Sequence, residues 1–340
     1  MARILLTGGA GYIGSHTCVA LHEAGHEAVI LDDFSNADES VVERIGRIIG
    51  APPPVVNGSI LDGEAVRRAF AEHAIDGVIH FAAFKAVGES VANPLAYFEN
   101  NIAGSIALAR AMREAQVWPL VFSSTATVYG EPDAFPIPET APTGYTSPYA
   151  FTKITVEQIL AQAAAADPFV IGALRYFNPV GAHESALIGE DPRGIPDNLM
   201  PYMAKVAMGE LEQLSVFGDD YDTPDGTGLR DYIHVMDLAE AHVLSMNALL
   251  EGRAHTLNIG TGIPTSVLQM HEAYSRAVGR ELPMRVVPRR PGDVPRLDAD
   301  PARALEVLGF EAKRDLDAMC RDSWRWVRAQ AAGWRLNDPS

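Results

Sequence analysis

Cysteine is nearly absent: Cys18 and Cys320 are the only two among 340 residues, and they stand almost a chain length apart. Two such thiols form neither a disulfide framework nor a thiolate metal site, and they suit a reducing compartment. Long apolar runs are missing as well. No stretch reaches the ~18–20 residues that span a bilayer, and Met1-Ala2-Arg3 leads directly into a strand-like run without the apolar segment of a secretion signal. Positive charge is scarce, with 27 Lys and Arg against 44 Asp and Glu, for a formal net charge of −17. The surface as a whole therefore repels phosphate polyanions, which disfavours nucleic acid and anionic membrane as general partners. A small anion can still bind where a few Arg or Lys side chains focus the local field. The ten histidines suggest no metal cluster, and no metal is expected. A cytoplasmic, water-soluble protein is the expectation.

Hydrophobic residues make up 47% of the chain, enough over this length for one large core or a core with a smaller partner. They gather in short β-rich runs at 3–7, 26–31, 77–81, 120–123 and 170–175. Each run is nearly continuous, as strands buried on both faces are. Helix-like stretches fall between or after them, at 15–24, 63–73, 101–115 and 148–166. This alternation predicts an α/β fold built on a doubly wound parallel sheet. After Asn178-Pro179-Val180-Gly181 the rhythm gives way to a loop rich in Gly, Pro, Asp and Glu and then to mixed elements. The expected division is a nucleotide-binding domain at 1–178 and a smaller mixed α/β domain, mainly substrate-binding, at 179–340. A strand and helix at 229–250 and a buried strand at 256–260 would return 229–260 to the first sheet. Pro52-Pro53-Pro54 reads as a stiff loop before a Val55-Val56 strand.

Thr7-Gly8-Gly9-Ala10-Gly11-Tyr12-Ile13-Gly14 lies between the first strand and the first helix. Glycines there allow a tight turn and close backbone approach, and a helix N-terminus offers free N–H groups to a pyrophosphate. Asp32 follows 18 positions after Gly14, at the end of the second strand. A carboxylate at that point accepts the ribose hydroxyls and repels a 2′-phosphate, so the expected cofactor is NAD rather than NADP.

Tyr149 and Lys153 stand four residues apart at the start of a helix, which puts both on one face. An adjacent ammonium and the positive end of a nicotinamide are expected to lower the phenol's pKa from its ordinary ~10 into the range for proton transfer. Ser123-Ser124-Thr125 ends a strand, where a hydroxyl can bridge to the same oxygen. Hydroxyl, phenol, ammonium and dinucleotide together describe alcohol-to-ketone oxidation.

On these motifs the sequence resembles the extended short-chain dehydrogenase/reductases, over the span from Ile4 to about Trp326. The resemblance is carried by Gly11-Tyr12-Ile13-Gly14-Ser15-His16-Thr17, His80-Phe81-Ala82-Ala83 with Lys85-Ala86-Val87-Gly88-Glu89-Ser90, and Ala126-Thr127-Val128-Tyr129-Gly130. It continues through Leu174 to Ala182, Gly194-Ile195-Pro196 with Asn198-Leu199-Met200-Pro201-Tyr202, and Arg230 to Ala239. It implies a Rossmann sheet and reversible interconversion of UDP-glucose and UDP-galactose. In that chemistry NAD transiently oxidises sugar carbon 4, the 4-keto sugar turns over, and the same hydride returns to its other face. The related 4,6-dehydratases carry an Asp-Glu acid/base pair after the strand hydroxyl, whereas here Ala126-Thr127 follows Thr125.

By the same resemblance the catalytic residues are Thr125, Tyr149 and Lys153. Cofactor contacts are Gly8, Gly11, Tyr12, Ile13, Gly14, Asp32, Asp33, Phe34, Ser35, Asn36, Ser59 and Ile60, followed by Phe81, Ala82, Ala83, Lys85, Asn100, Ser123, Tyr149, Lys153, Tyr176 and Phe177. Substrate contacts are Lys85, Thr125, Tyr149, Asn178, Asn198, Leu199, Val216, Phe217, Arg230, Arg290, Asp293 and Leu297, the two arginines gripping the diphosphate. Three positions depart from the family pattern. Thr125 stands where many members have Ser, and Ser59 replaces an Asp that meets the adenine, a weaker neutral acceptor. Leu297 is intermediate between the Tyr and Cys found at a pocket wall whose small version admits N-acetylated sugars. An epimerase of UDP-N-acetylglucosamine or UDP-glucuronate, or a non-catalytic NAD-sensing protein, are the alternatives. Apolar Ile102, Ile106, Met112, Val156, Ile159 and Leu160 stand at helical spacings on two helices, where packing onto the sheet accounts for much of the pattern; because family members pair these helices in dimers, a homodimer is the expectation.

Overall fold

The structure, a computed structural model, describes residues 1–192, 196, 198–290 and 292–333. In chain order it begins with β1 (Arg3–Thr7), α1 (Tyr12–Glu23), β2 (Glu27–Asp32), α2 (Ser40–Ile49), β3 (Val55–Asn57), α3 (Gly63–Glu72) and β4 (Gly77–His80). There follow α4 (Val87–Ala92), α5 (Pro94–Tyr97), a π-helical turn at Phe98–Ala103, α6 (Gly104–Ala115), β5 (Pro119–Thr125), α7 (Pro148–Ala166) and β6 (Val170–Tyr176). The remainder is β7 (Asn178–Val180), α8 (Leu199–Met208), β8 (Leu214–Phe217), β9 (Leu229–His234), α9 (Val235–Leu250), β10 (His255–Ile259) and β11 (Pro264–Ser266). It closes with α10 (Val267–Val278), β12 (Met284–Val287), β13 (Arg296–Leu297), α11 (Ala302–Leu308) and α12 (Leu316–Ala331).

Because the apolar runs are continuous, their strands bury both faces, and helices cover the sheet on each side. The sheet has seven parallel strands in the order β10-β6-β5-β4-β1-β2-β3. One face packs Ile4, Leu6, Ile79 and Val121 against Cys18, Val19 and Leu21 of α1 and Leu238, Val243 and Met246 of α9. The other packs Leu5, Val78, Leu120 and Phe122 against Leu108 and Met112 of α6 and Val156 and Leu160 of α7. Truncating any of these to Ala would cost about 2–5 kcal/mol. Strand order reverses at β1, whose neighbours are β2 on one side and β4 on the other. The crevice at their carboxyl ends is where open α/β sheets bind ligands.

The chain then builds a second, smaller layer. β9 pairs with β7, β11 and β13, and β8 pairs with β12. Met200, Met203, Tyr232, Met270, Tyr274 and Met319 form its core beneath α8, α10 and α12. Of the stretch 229–260, β10 adds to the large sheet beside β6 and α9 packs on α1, whereas β9 joins the smaller sheet. Helix α2 was not read from the sequence, although Val41 and Ile45 bury one side of it. Of the six apolar residues expected on a dimer face, Met112, Val156 and Leu160 are core residues against the sheet, and Ile102, Ile106 and Ile159 are partly exposed. Among the described residues no helix is long and apolar enough to cross a membrane, and no group of three metal-ligating side chains is assembled.

Candidate active site

The glycine turn at the end of β1 is closed by contacts that leave no room for side chains. Gly8 sits at φ +69°, and a Cβ there would lie 2.7 Å from Ala82 N. A Cβ on Gly14 would lie 2.4 Å from Gly8 O. Helix α1 starts immediately afterwards with no side-chain cap and no acidic residue in its first turn. Its leading N–H groups, at Tyr12 and Ile13, thus present an uncompensated positive dipole end to the crevice. Both Asp32 oxygens accept backbone N–H groups, from Ala10 and Phe34, each at 2.9 Å. That ties the end of β2 to the glycine turn, and burial raises the Asp32 pKa against those hydrogen bonds. The loop Asp33-Phe34-Ser35-Asn36 leaves from this point, with Ser35 N donating to Asp33. Ser59 receives Leu61 N, and Ile60 is buried, with its side chain tight against Gly104 of α6. Phe81 and Ala82 both donate their N–H to Thr7 O, carrying Ala83 and Lys85 to the same crevice. A cradle that a Cβ would fill, a bare helix N-terminus and a buried carboxylate at the strand end fit a dinucleotide.

Proline at N1 and a Ser147 side-chain cap on Ala150 N fix the start of α7 and hence the direction of Tyr149 and Lys153. Tyr149, Thr125 and Lys153 converge with 7%, 7% and 4% exposure. The Thr125 hydroxyl stands close enough to the Tyr149 phenol to favour its ionised form, and it receives Thr127 N at 3.2 Å. Lys153 Nζ donates to Ser123 O at 2.8 Å and stands 5.9 Å from the Tyr149 ring centre. Ser123 Oγ donates to Tyr176 OH at 2.9 Å.

The electrostatics differ from the sequence expectation. In the chain itself burial, then Tyr176 and Tyr97, push the Tyr149 phenol well above its ordinary value, and only the Thr125 hydroxyl opposes them. Burial lowers Lys153 to about 8. The Lys153 ammonium does not figure among the influences on the phenol, so desolvation decides its direction.

On the opposite wall, Arg230 donates to Leu229 O and stands 3.8 Å from Asp293, and the Arg290 guanidinium lies 4.4 Å over the Phe217 ring. Val216 is buried, whereas Phe217 is 37% exposed. Leu297 pairs in register with Arg230 and packs with Phe177 and Ala126, so this wall touches the turn after Thr125. Asn178 has a buried Oδ1 without a hydrogen-bond partner among the described residues. Asn198 caps α8 by position alone, and its Nδ2 and the Lys85 ammonium both reach Glu190 Oε1, at 3.3 and 3.2 Å. Leu199 opens α8. Asn100 donates to Asn101 Oδ1 in the π-helical turn. Gly194 and Ile195 lie outside the described residues.

The family model described as the NAD dependent epimerase/dehydratase family matches residues 4–260. The chain belongs to that family. It is 53% identical over 334 residues to a UDP-glucose 4-epimerase of Bacillus subtilis (strain 168), covering 98% of each chain. It is 52% identical to one of Neisseria meningitidis serogroup B, covering 98% of this chain and 99% of the other. A crystal structure of the Stenotrophomonas maltophila UDP-glucose-4-epimerase with bound NAD and formylated UDP-arabinopyranose superposes with a TM-score of 0.96 at 55% identity, covering 98% and 100% of the two chains. The Bifidobacterium longum enzyme in complex with NAD+ and UDP gives 0.93 at 46%, covering 97% and 99%.

This family member also carries polar residues at the site that sequence reasoning gave no role. Glu157, Arg175, Tyr129 and Asn258 form one buried network behind β5. Glu190 bridges Lys85 and Asn198. Glu157 had a signal: it continues the four-residue spacing of Tyr149 and Lys153 along one helix face. Glu190 had none, since its partners are remote in sequence.

Proposed function

We propose that this protein interconverts UDP-glucose and UDP-galactose by transient oxidation at sugar carbon 4, using NAD held in the glycine cradle. The observation that carries this reading is the meeting of Tyr149, Thr125 and Lys153 at the carboxyl end of β5, with no carboxylate pair following Thr125. Such a site can move one proton at a hydroxyl but offers no second acid to expel water from a keto sugar. NAD, when bound, accepts the hydride from carbon 4 and gives it back. The chain supplies the rest. Tyr149 takes the 4-hydroxyl proton and later returns it, with Thr125 donating to the phenolic oxygen in its charged state. Lys153, as an ammonium, stabilises that charge, which matters because burial alone holds the phenol neutral.

Turning the keto sugar over requires a firm grip on the diphosphate and a loose one on the hexose. Arg230 and Arg290 are the anchoring cations, and Leu297 bounds the hexose pocket. Val87, Val91, Leu95 and Tyr145 expose apolar surface near α7, which supports a homodimer through this region. Two buried free cysteines support a cytoplasmic location. The division near residue 178, with α9 packed on α1 and β10 in the large sheet, supports a cofactor site in the first part and a UDP site mainly in the second.

The test denatures the purified protein, identifies the released nucleotide, and assays the native form without added cofactor. NAD should be released, and sugar deuterated at carbon 4 should retain its label through conversion. Loss of label to solvent or to added coenzyme overturns the reading.

A further inference from the structure

Behind the catalytic residues lies a carboxylate that the reaction as described does not use. Glu157 follows Lys153 by one helical turn on the face of α7 that meets the sheet, and its side chain is 13% exposed. Its oxygens take a two-pronged ion pair from Arg175 of β6, Nε to Oε1 at 3.1 Å and Nη2 to Oε2 at 2.6 Å. Oε1 also accepts the hydroxyl of Ser124. Ser124 is the residue between the carbonyl that holds Lys153 and the hydroxyl that meets Tyr149. Arg175 in turn reaches Tyr129 OH at 3.2 Å, and that hydroxyl donates to Asn258 of β10 at 2.6 Å. The network thus ties α7, β5, β6 and β10 together near the carboxyl ends of the strands.

We propose that Glu157 is a positioning residue for the reaction: it fixes the end of β5 through Ser124 and sets one negative charge a helical turn behind Lys153. The inference rests on the proposed reading of Tyr149 and Lys153. The titratable groups that act on Lys153 or on its neighbour Tyr149 are His80 from β4, Glu157 from α7, Tyr97 from α5 and Tyr176 from β6, with Arg175 of β6 paired to Glu157. Burial keeps His80 neutral and the three phenols protonated at neutral pH. Glu89 of α4 is engaged by the Tyr97 hydroxyl. Burial pulls the Lys153 ammonium toward neutrality, and the charge that opposes it is that of Glu157. Arg175 pairs with both oxygens of the carboxylate and does not figure among the influences on the Lys153 ammonium.

The experiment compares Glu157→Gln with the wild type. Glutamine keeps the shape and an acceptor for Ser124 while removing the charge. Because Lys153 must be protonated, activity falls as pH rises through its pKa. Removing the negative charge lowers that pKa, so the alkaline limb of kcat should move to lower pH by ~1 unit. The Lys153 signal in an NMR titration of lysine-labelled protein should move with it, and retained NAD should not change. Glu157→Asp, which keeps the charge, should leave the limb close to its wild-type position. If Glu157→Gln does not fold, the double variant Glu157→Gln/Arg175→Met, which removes the buried pair together, is used and should show the same direction of shift. A folded, NAD-retaining variant that loses thermal stability while the limb and the Lys153 titration stay in place overturns the proposal. Inactivity of the wild type would instead refute the underlying reading.

Discussion

Three histidines are sealed in the large domain without a charged partner, and they make the protein's acid stability calculable. His16 on α1 and His80 on β4 are held by burial at about 3, and His242 on α9 at about 4. His16 and His242 each donate Nδ1–H to a carbonyl of their own helix, Tyr12 O at 2.7 Å and Leu238 O at 2.8 Å, and neither Nε2 meets the geometry of a hydrogen bond among the described residues. His80 sits between two hydroxyls, Thr7 Oγ1 at 2.7 Å and Ser105 Oγ at 2.9 Å. In the unfolded chain each ring takes a proton near its ordinary pKa of ~6.5, and in the folded chain it does not. Between that value and the folded pKa the unfolded state binds more protons, so stability falls as pH falls. From pH 7.5 to 5.5 the loss is ~1.4 kcal/mol for each histidine and ~4 kcal/mol for all three. The raised carboxyls of Asp32 and Asp231 act in the opposite sense, from the ordinary carboxylate range upward. The assay is equilibrium urea unfolding at the two pH values, at fixed ionic strength and saturating NAD. His242→Phe, placed among the rings of Phe81 and Tyr176, should remove about a third of the pH dependence. A difference below ~1 kcal/mol between the two pH values, or one of opposite sign, would refute the assignment of these rings as neutral.

Other consequences concern the site. Tyr149→Phe should keep its NAD and its melting temperature while kcat drops by ~10²–10⁴-fold, as measured by product formation at saturating UDP-galactose. Gly14→Ala should emerge from purification without nucleotide, because its Cβ would lie 2.4 Å from Gly8 O and 2.7 Å from Gly9 Cα; the absorbance of the denatured supernatant reports this. Leu297→Ala, opening the pocket wall beside Phe177, should raise kcat/KM for UDP-N-acetylglucosamine relative to UDP-glucose, and an unchanged ratio would remove Leu297 from the hexose wall.

The parallel sheet was legible because each strand declares itself locally: a run such as Gly77-Val78-Ile79-His80 is apolar on both faces, and only a covered sheet accommodates that. The approach of Tyr149 to Lys153 was legible for a similar reason, since helical spacing converts sequence separation into direction. What escaped depends on which surface an element meets. β9 reads like any buried strand, yet its partners are β7, β11 and β13, and nothing within Leu229–His234 distinguishes one sheet from another. Met112, Val156 and Leu160 lie on helices whose apolar residues cover more than one face, so periodicity alone could not assign them to the core. The charge state of Tyr149 escaped for a deeper reason. Its neighbours in sequence argue for a lowered phenol, but desolvation is set by everything packed around it, including Tyr176 and Tyr97 from distant segments. Burial pushes the Tyr149 phenol up and the Lys153 ammonium down, so the chain alone holds the phenol in a state unsuited to proton abstraction at neutral pH. A positive charge beside the phenol must therefore come from Lys153 or arrive with the cofactor, and Glu157 is the carboxylate that opposes the effect of burial on Lys153.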